Sequence, residues 1–181
     1  MFGFFYRNKM KKIQKFINEE FPVMILVGGT LGSGKSYVVE KYFPGVITLD
    51  PDKVVEELSG GEGKWDIKLG GKARAIVQQA FKKLINEKKT FIKQGVAANL
   101  NAVLAQNDIA KKAGFKTIFI YVDTSLKTAK TRANLRFMNG ERLNEIPHYK
   151  IEKKLKESRE VYKKLSKMNE FDIVFKFDND I

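Results

Sequence analysis

The sequence predicts an α/β fold of three layers (α/β/α), in which a five-stranded, mostly parallel sheet lies between helices. Short, continuous apolar runs alternate along the chain with longer segments whose apolar residues have helical spacing. Continuous apolar runs are typical of strands buried on both faces, as in parallel sheets. Parallel strands that alternate with helices are joined by right-handed crossovers, which place helices on both faces of the sheet.

Local signals delimit the predicted strands and helices. The strands are predicted at residues 23–27, 46–49, 90–94, 117–122 and 171–175. The helices are predicted at residues 10–19, 35–42, 52–58, 72–87, 99–112, 149–168 and in the segment after 125 that ends near 137. Pro22 ends the first helix, and Pro44 with Gly45 ends the second. The glycine-rich segment 59–71, which contains Trp65, is interpreted as a mobile loop on the substrate side.

Length and composition indicate one domain. The chain has 181 residues without a linker or an internal repeat, so 1–181 is interpreted as a single domain with an N-terminal helical extension at 1–21. No apolar run is long enough to span a bilayer, and the N-terminus lacks the order of a secretory signal. The sequence has no cysteine and one histidine, which excludes disulfides and multi-histidine metal sites. We therefore expect a cytoplasmic protein without a membrane partner.

The charge of the chain leaves two interpretations open. The formal net charge is +13 at pH 7, and the isoelectric point is about 9.7. One interpretation is a solvated, lysine-rich surface. The other is a polyanionic partner such as nucleic acid, a nucleotide or an anionic membrane. The excess of positive charge is larger than one bound triphosphate requires, so a nucleic-acid substrate has to be considered.

A phosphate-binding loop follows the first predicted strand. Residues 29–36 match the pattern G-x-x-x-x-G-K-[ST], a P-loop. The glycines let the backbone N–H groups surround a phosphate, Lys35 places a charge on the β- and γ-phosphates, and Ser36 ligates Mg²⁺. The fold class is thus that of P-loop NTPases, with ATP and Mg²⁺ as cofactors. The predicted nucleotide-binding residues of the loop are Gly29, Thr30, Gly32, Ser33, Gly34, Lys35, Ser36 and Tyr37.

Two aspartates follow the second predicted strand. A phosphoryl-transfer site needs a carboxylate on the magnesium side and another that orients and deprotonates an acceptor hydroxyl. Asp50 and Asp52 supply both from one short turn. We predict Asp52 as the base and substrate contact, and Asp50 as the magnesium-side residue. Asp50 before Pro51 is also a good helix start, and the two roles are compatible.

The order of these motifs resembles a known family. A strand, the P-loop and a strand ending in D-x-D are similar to the zeta-toxin and polynucleotide 5′-kinase group of P-loop kinases. That group phosphorylates hydroxyls on nucleotide sugars, nucleic-acid ends or small metabolites. The resemblance implies that Asp52 is the base. In the family, an aromatic and a basic residue often follow shortly after the second aspartate, whereas this chain has Val54 and Val55 in that neighbourhood.

An arginine cluster follows the fourth predicted strand. Arg132 and Arg136 are four residues apart, so they share one helix face, and Gly140 permits a turn that returns Arg142 to the same site. The cluster is either a solvated basic surface or a set of lid contacts to ATP, for which guanidinium groups are well suited. The family has R-x-x-x-R and a short glycine-containing lid here, so we predict a lid at about 125–147 with Arg136 also catalytic.

Gln94 ends the third predicted strand. In zeta-like relatives a glutamate near this point reaches the acceptor, so the resemblance suggests that Gln94 binds substrate. The sequence therefore predicts an ATP-dependent kinase that phosphorylates the hydroxyl of a nucleic-acid 5′ end or a nucleotide. Alternatives are a toxin-like kinase acting on a nucleotide sugar, and a nucleic-acid-binding P-loop NTPase without an acceptor. The oligomeric state stays open.

Overall fold

A five-stranded sheet forms the centre of the computed structural model, which describes residues 11–17, 20–61, 66–142 and 144–180. The strands are β1 (Val23–Gly28), β2 (Ile47–Leu49), β3 (Phe91–Gly95), β4 (Lys116–Asp123) and β5 (Ile173–Asp178). Their order across the sheet is β2-β3-β1-β4-β5, and every pairing is parallel. The predicted five-stranded, three-layer fold is confirmed, and the sheet is wholly rather than mostly parallel.

Helices cover both faces of this sheet. They are α1 (11–17), α2 (Lys35–Tyr42), α3 (Pro51–Leu58), α4 (Gly70–Asn86), α5 (Leu100–Lys112), α6 (Leu126–Met138) and α7 (His148–Leu165), with a 3₁₀ helix at Ile67–Leu69. Successive residues of a strand point to opposite faces. Met24 and Leu26 of β1 accordingly lie in one hydrophobic core, and Ile25 and Val27 lie in the other. In the described part of the chain, no helix combines the length and apolarity needed to cross a membrane.

Several predicted boundaries differ from the structure by one to three residues. The segment predicted as a loop up to residue 71 contains a 3₁₀ helix, because the Asp66 side chain accepts a hydrogen bond from the Lys68 N–H (2.9 Å). This turn leads directly into α4, which begins at Gly70 rather than at residue 72. Trp65 lies outside the described residues. β5 begins at Ile173 and continues to Asp178, since its charged end still pairs with β4.

The strand order determines which loops share one edge of the sheet. β2 does not neighbour β1, because β3 lies between them. Val27, just before the P-loop, is in register with Gln94. The carboxyl ends of parallel strands form the usual ligand-binding edge of such sheets. Gln94 therefore lies between the phosphate-binding loop and the acid pair that follows β2.

Candidate active site

A cavity of about 750 Å³ opens at this edge of the sheet. The predicted site residues that line it are Gly32, Gly34, Lys35, Ser36, Tyr37, Asp50, Asp52, Gln94, Arg132 and Arg136. Parts of the chain far apart in sequence thus meet around one space. The cavity is large enough for a drug-sized ligand.

The P-loop has the curled backbone that its sequence predicts. Gly32 and Gly34 have φ values of 75° and 88°, which L side chains rarely adopt. A Cβ at Gly34 would lie 2.1 Å from the Asn179 Nδ2, and one at Gly32 would lie 2.6 Å from the Ala129 carbonyl oxygen. The glycines are therefore required by the backbone conformation and by close protein neighbours, in addition to any ligand.

Lys35 places its ammonium group within this loop. The Nζ donates hydrogen bonds to the carbonyl oxygens of Gly29 (2.9 Å) and Thr30 (3.0 Å). Burial lowers the pKa of Lys35, and the nearby charges of Asp52 and Asp50 counteract part of this effect. Among the described residues Lys35 has no ion-pair partner within 4 Å. A half-buried cation that contacts carbonyl groups fits an anionic ligand such as a triphosphate.

The other predicted loop residues divide into two groups. Ser36 and Tyr37 line the cavity, and Tyr37 is 49% exposed. Thr30 is fully buried, with its hydroxyl 3.4 Å from the carbonyl oxygen of Ile151. Ser33 is also fully buried, and its Oγ has no hydrogen-bond partner among the described residues. The side chains of Thr30 and Ser33 face the protein interior, which leaves any contact with a nucleotide to their main chains.

The acid pair lies at the start of α3. Asp50 caps this helix, and its Oδ1 accepts a hydrogen bond from the Asp52 N–H (2.9 Å). Asp50 is only 9% exposed. Burial raises the pKa of Asp50, and repulsion from Asp52 adds to this, whereas Lys35 opposes it. Two carboxylates that repel each other in a cavity are a suitable environment for a divalent cation.

The donor set fits magnesium only together with a nucleotide. The described residues contain no group of three carboxylate, histidine or cysteine side chains that could hold a metal ion. Mg²⁺ is commonly bound through one or two protein ligands, substrate phosphates and water. The Ser36 hydroxyl and the Asp50 carboxylate, which line the same cavity, match this pattern.

The three arginines of the cluster contact different partners. Arg132 donates to the carbonyl oxygens of Gly32 (3.1 Å) and Asn179 (3.3 Å). Arg136 forms ion pairs with Glu56 (3.4 Å) and Glu141 (3.2 Å). Arg132 and Arg136 therefore line the cavity from α6, and both have main-chain or carboxylate contacts that fix their position.

Arg142 occupies a different position from the two arginines of α6. It is 3% exposed, and its Nη2 lies 3.2 Å from the Oδ2 of Asp52. The preceding turn at Gly140 has a φ of 75°, which returns the chain toward α3 as the sequence suggests. The arginine predicted to contact ATP thus contacts the predicted base in this structure.

Gln94 is the most unusual polar residue of the site. It is 3% exposed, and neither its Oε1 nor its Nε2 has a hydrogen-bond partner among the described residues. Buried polar groups are nearly always paired, and exceptions call for an explanation. Because Gln94 lines the cavity, a ligand is a natural partner for its amide group.

Sequence reasoning gave no site role to six residues that line this cavity: Leu31, Glu40, Lys53, Glu56, Leu135 and Asn179. Glu56 lies one helical turn after Asp52, so the spacing of four residues could have identified it. Burial raises the pKa of Glu56, and the charge of Arg136 counteracts this. Asn179 follows β5 and also lines the cavity. No local pattern in the sequence points to Asn179.

The comparison of sequences identifies the family. Residues 7–180 match the sequence model of the zeta toxin family. The chain belongs to this family. No curated protein matches the sequence of this zeta toxin family member.

Solved structures support the same fold. This member of the zeta toxin family resembles a chain of the PezAT chromosomal toxin–antitoxin system of Streptococcus pneumoniae, with a TM-score of 0.62 and 18% identity over 94% of this chain and 77% of the other. A chain of AvrRxo1-ORF1:-ORF2 solved with ATP has a TM-score of 0.70 and 14% identity, covering 87% and 55% of the two chains. A chain of the Pnkp1/Rnl/Hen1 RNA repair complex has a TM-score of 0.64 and 16% identity, covering 83% and 48%. At these identities the similarity establishes the fold.

Proposed function

We propose that this protein is a Mg²⁺-dependent kinase that transfers the γ-phosphate of ATP to the hydroxyl of a nucleic-acid 5′ end or a nucleotide. One observation supports this above all. The ammonium of Lys35 and the carboxylate of Asp52, with Gln94, line a single cavity. A nucleotide-hydrolysing switch protein needs a lysine such as Lys35, whereas a kinase that phosphorylates a hydroxyl also needs a base such as Asp52.

The P-loop side of the cavity would bind the triphosphate. The loop amides and Lys35 would hold the β- and γ-phosphates, and the N-terminus of α2 faces the same anion. Ser36 and Asp50 would hold Mg²⁺, which would neutralise negative charge on the phosphates. Arg136 would stabilise the charge that develops on the transferred phosphoryl group, and Arg132 would contact the nucleotide from α6.

Asp52 would act on the acceptor. Its Oδ2 is paired with Arg142, whereas its Oδ1 has no hydrogen bond to any described residue. Oδ1 accepts the proton of the acceptor hydroxyl while the oxygen of this hydroxyl forms a bond to the γ-phosphorus. The bond between this phosphorus and the bridging oxygen breaks, and ADP leaves. The two ends of the Asp52 carboxylate thus have separate roles, orientation and proton transfer.

Gln94 would orient the acceptor. Its amide offers one hydrogen-bond acceptor and two hydrogen-bond donors, and a ligand with hydroxyl groups could satisfy both. The net charge of +13 favours a polyanionic acceptor. A nucleotide sugar is the second candidate, and it is supported by the membership of this chain in the zeta toxin family.

The decisive test is transfer of label from γ-labelled ATP to a panel of 5′-hydroxyl oligonucleotides, nucleosides and nucleotide sugars. We expect a labelled product with at least one oligonucleotide or nucleotide, and none when Mg²⁺ is omitted. Asp52→Asn should reduce transfer at least a hundredfold and leave ATP binding within about threefold, because general-base catalysis contributes about 10²–10⁴-fold. Asp108→Asn, on the exposed face of α5, is the matched control and should transfer at the wild-type rate. Equal transfer by Asp52→Asn and wild type would refute the assignment of the base.

A further inference from the structure

The two residues that follow β5 connect the P-loop to α6, the helix that carries Arg132 and Arg136. The side-chain Nδ2 of Asn179 donates a buried hydrogen bond of 2.8 Å to the carbonyl oxygen of Ser33. The main-chain oxygen of the same residue accepts a hydrogen bond from the Arg132 guanidinium (3.3 Å). Asn179 is 5% exposed and lines the nucleotide cavity. One residue is therefore bonded to both sides of the proposed triphosphate site.

The bond to Ser33 determines the direction of a neighbouring N–H group. The C=O of Ser33 and the N–H of Gly34 belong to one planar trans peptide unit, so they point in opposite directions. With the carbonyl directed at Asn179, the Gly34 N–H is directed away from it. Gly34 lines the cavity and has a φ of 88°, so its peptide unit has few conformational constraints of its own.

Asn179 and Asp180, the tail that follows β5, are anchored independently of the hydrogen bond between the Asn179 side chain and Ser33. The Asn179 N–H donates to the Asp123 carbonyl oxygen (2.9 Å), which extends the β4–β5 edge by one residue. Asp180 accepts hydrogen bonds at its Oδ1 from Thr128 (2.7 Å) and Ser125 (3.1 Å) at the start of α6. These contacts hold the chain in place without the Asn179 side chain. The amide of Asn179 is thus not needed to attach the tail, and its contact with Ser33 requires another explanation.

We propose that Asn179 is a positioning residue of the nucleotide site, whose side-chain amide fixes the Ser33–Gly34 peptide so that the Gly34 N–H faces the phosphates. The proposal rests on the proposed nucleotide-binding function. Without the amide, the peptide rotates more freely, and part of the binding free energy is spent on ordering it. Phosphate affinity should decrease, because a net hydrogen bond contributes about 0.5–1.5 kcal/mol and 1.4 kcal/mol is a factor of ten.

The test measures equilibrium binding of ATP and of tripolyphosphate by the full chain. Asn179→Leu has a similar shape and keeps the main-chain bonds but lacks the donor. We expect its Kd to rise about five- to tenfold for both ligands. Asp180→Asn weakens the anchor at α6 without touching Ser33, so its Kd values should stay within twofold of wild type. Asn179→Ala gives the same comparison if the leucine variant does not fold.

The outcomes separate this inference from the proposed function. Absence of ATP binding in the wild-type protein would refute the proposed function itself. Wild-type binding together with Kd values within twofold in both Asn179 variants would overturn the positioning role alone. Equal weakening by Asp180→Asn and Asn179→Leu would also overturn it, since the tail would then act as a general structural anchor. A loss for ATP but not for tripolyphosphate would contradict the assignment to the phosphates.

Discussion

The guanidinium group of Arg142 lies 3.2 Å from the carboxylate of Asp52, and Arg142 is almost completely buried. This contact links the chain after α6 to the start of α3, and Asp52 also lines the cavity. Desolvation lowers the pKa of Arg142, and the charge of Asp52 counteracts this. The ion pair therefore orients the carboxylate of the proposed base.

The first prediction distinguishes two roles of Arg142. If Arg142 orients Asp52, Arg142→Ala should lower kcat at least tenfold and change the Kd of ATP less than threefold, because the base loses its partner while the P-loop is untouched. If it contacts ATP, the Kd should rise instead. Steady-state kinetics with calorimetric ATP binding separate the two. Arg74→Ala on the exposed face of α4 is the control and should match wild type in both.

The second prediction concerns the charge of the P-loop. Lys35→Ala should weaken ATP binding about 10- to 100-fold, since hydrogen bonds to charged groups contribute about 1.5–3 kcal/mol. The same substitution removes two hydrogen bonds to loop carbonyls, so the melting temperature should be measured together with binding. Lys112→Ala, in an exposed ion pair on α5, serves as the control. Wild-type ATP affinity in Lys35→Ala would refute the nucleotide site.

The third prediction separates two reasons for glycine in the P-loop. Gly34 and Gly45 have similar φ values of 88° and 81°, but an added Cβ meets Asn179 at Gly34 and nothing within 4 Å at Gly45. Gly45→Ala should cost about 1–2 kcal/mol of unfolding free energy from the backbone conformation alone. Gly34→Ala should cost about 1–3 kcal/mol more through the clash, and it should weaken ATP binding. Equal stability of the two variants in denaturant unfolding would contradict this.

The fourth prediction uses the raised pKa of Asp50. A carboxyl group whose pKa is raised on folding binds its proton more tightly in the folded state, so its contribution to stability falls as the pH rises from 3.8 through the folded pKa. Asp50→Asn keeps a good helix cap without the charge. It should melt above wild type at pH 7, with a smaller difference toward pH 3, while phosphoryl transfer falls at least tenfold.

Asp66→Asn provides the control for this comparison. Asp66 also caps a helical turn through its side chain but does not line the cavity. Its substitution should leave transfer unchanged. A lower melting temperature of Asp50→Asn than of wild type at pH 7 would show that the buried carboxylate is stabilising, contrary to this argument.

The fold and most of the residues that line the cavity could be predicted from the sequence because their signals are local. The apolar run before residue 28, the P-loop pattern and the cap at Asp50 each involve neighbouring residues. The carboxyl end of β5 was missed because charged residues interrupt its apolar pattern, although they pair with β4.

The contacts of the site could not be predicted, since they join distant parts of the chain. Asn179 and Ser33 are 146 residues apart, and Arg142 and Asp52 are 90 residues apart. The sequence placed Arg142 near ATP because arginine suits phosphate as well as carboxylate. The structure shows that, after the turn at Gly140, Arg142 forms an ion pair with the carboxylate of Asp52.

The last prediction concerns Gln94, where stability and activity should change in opposite directions. Leaving a buried amide without partners costs about 1–3 kcal/mol, so Gln94→Leu should raise the free energy of unfolding measured in denaturant. The same variant should lower kcat/KM for the acceptor at least tenfold and leave the Kd of ATP within twofold, because the amide of Gln94 is proposed to contact the acceptor and not the phosphates. Gln106→Leu removes an amide on α5 that bonds to Lys93 and does not line the active-site cavity, so it should not change acceptor kinetics. A stabilised Gln94→Leu enzyme with wild-type acceptor kinetics would mean that the amide of Gln94 does not contact the acceptor.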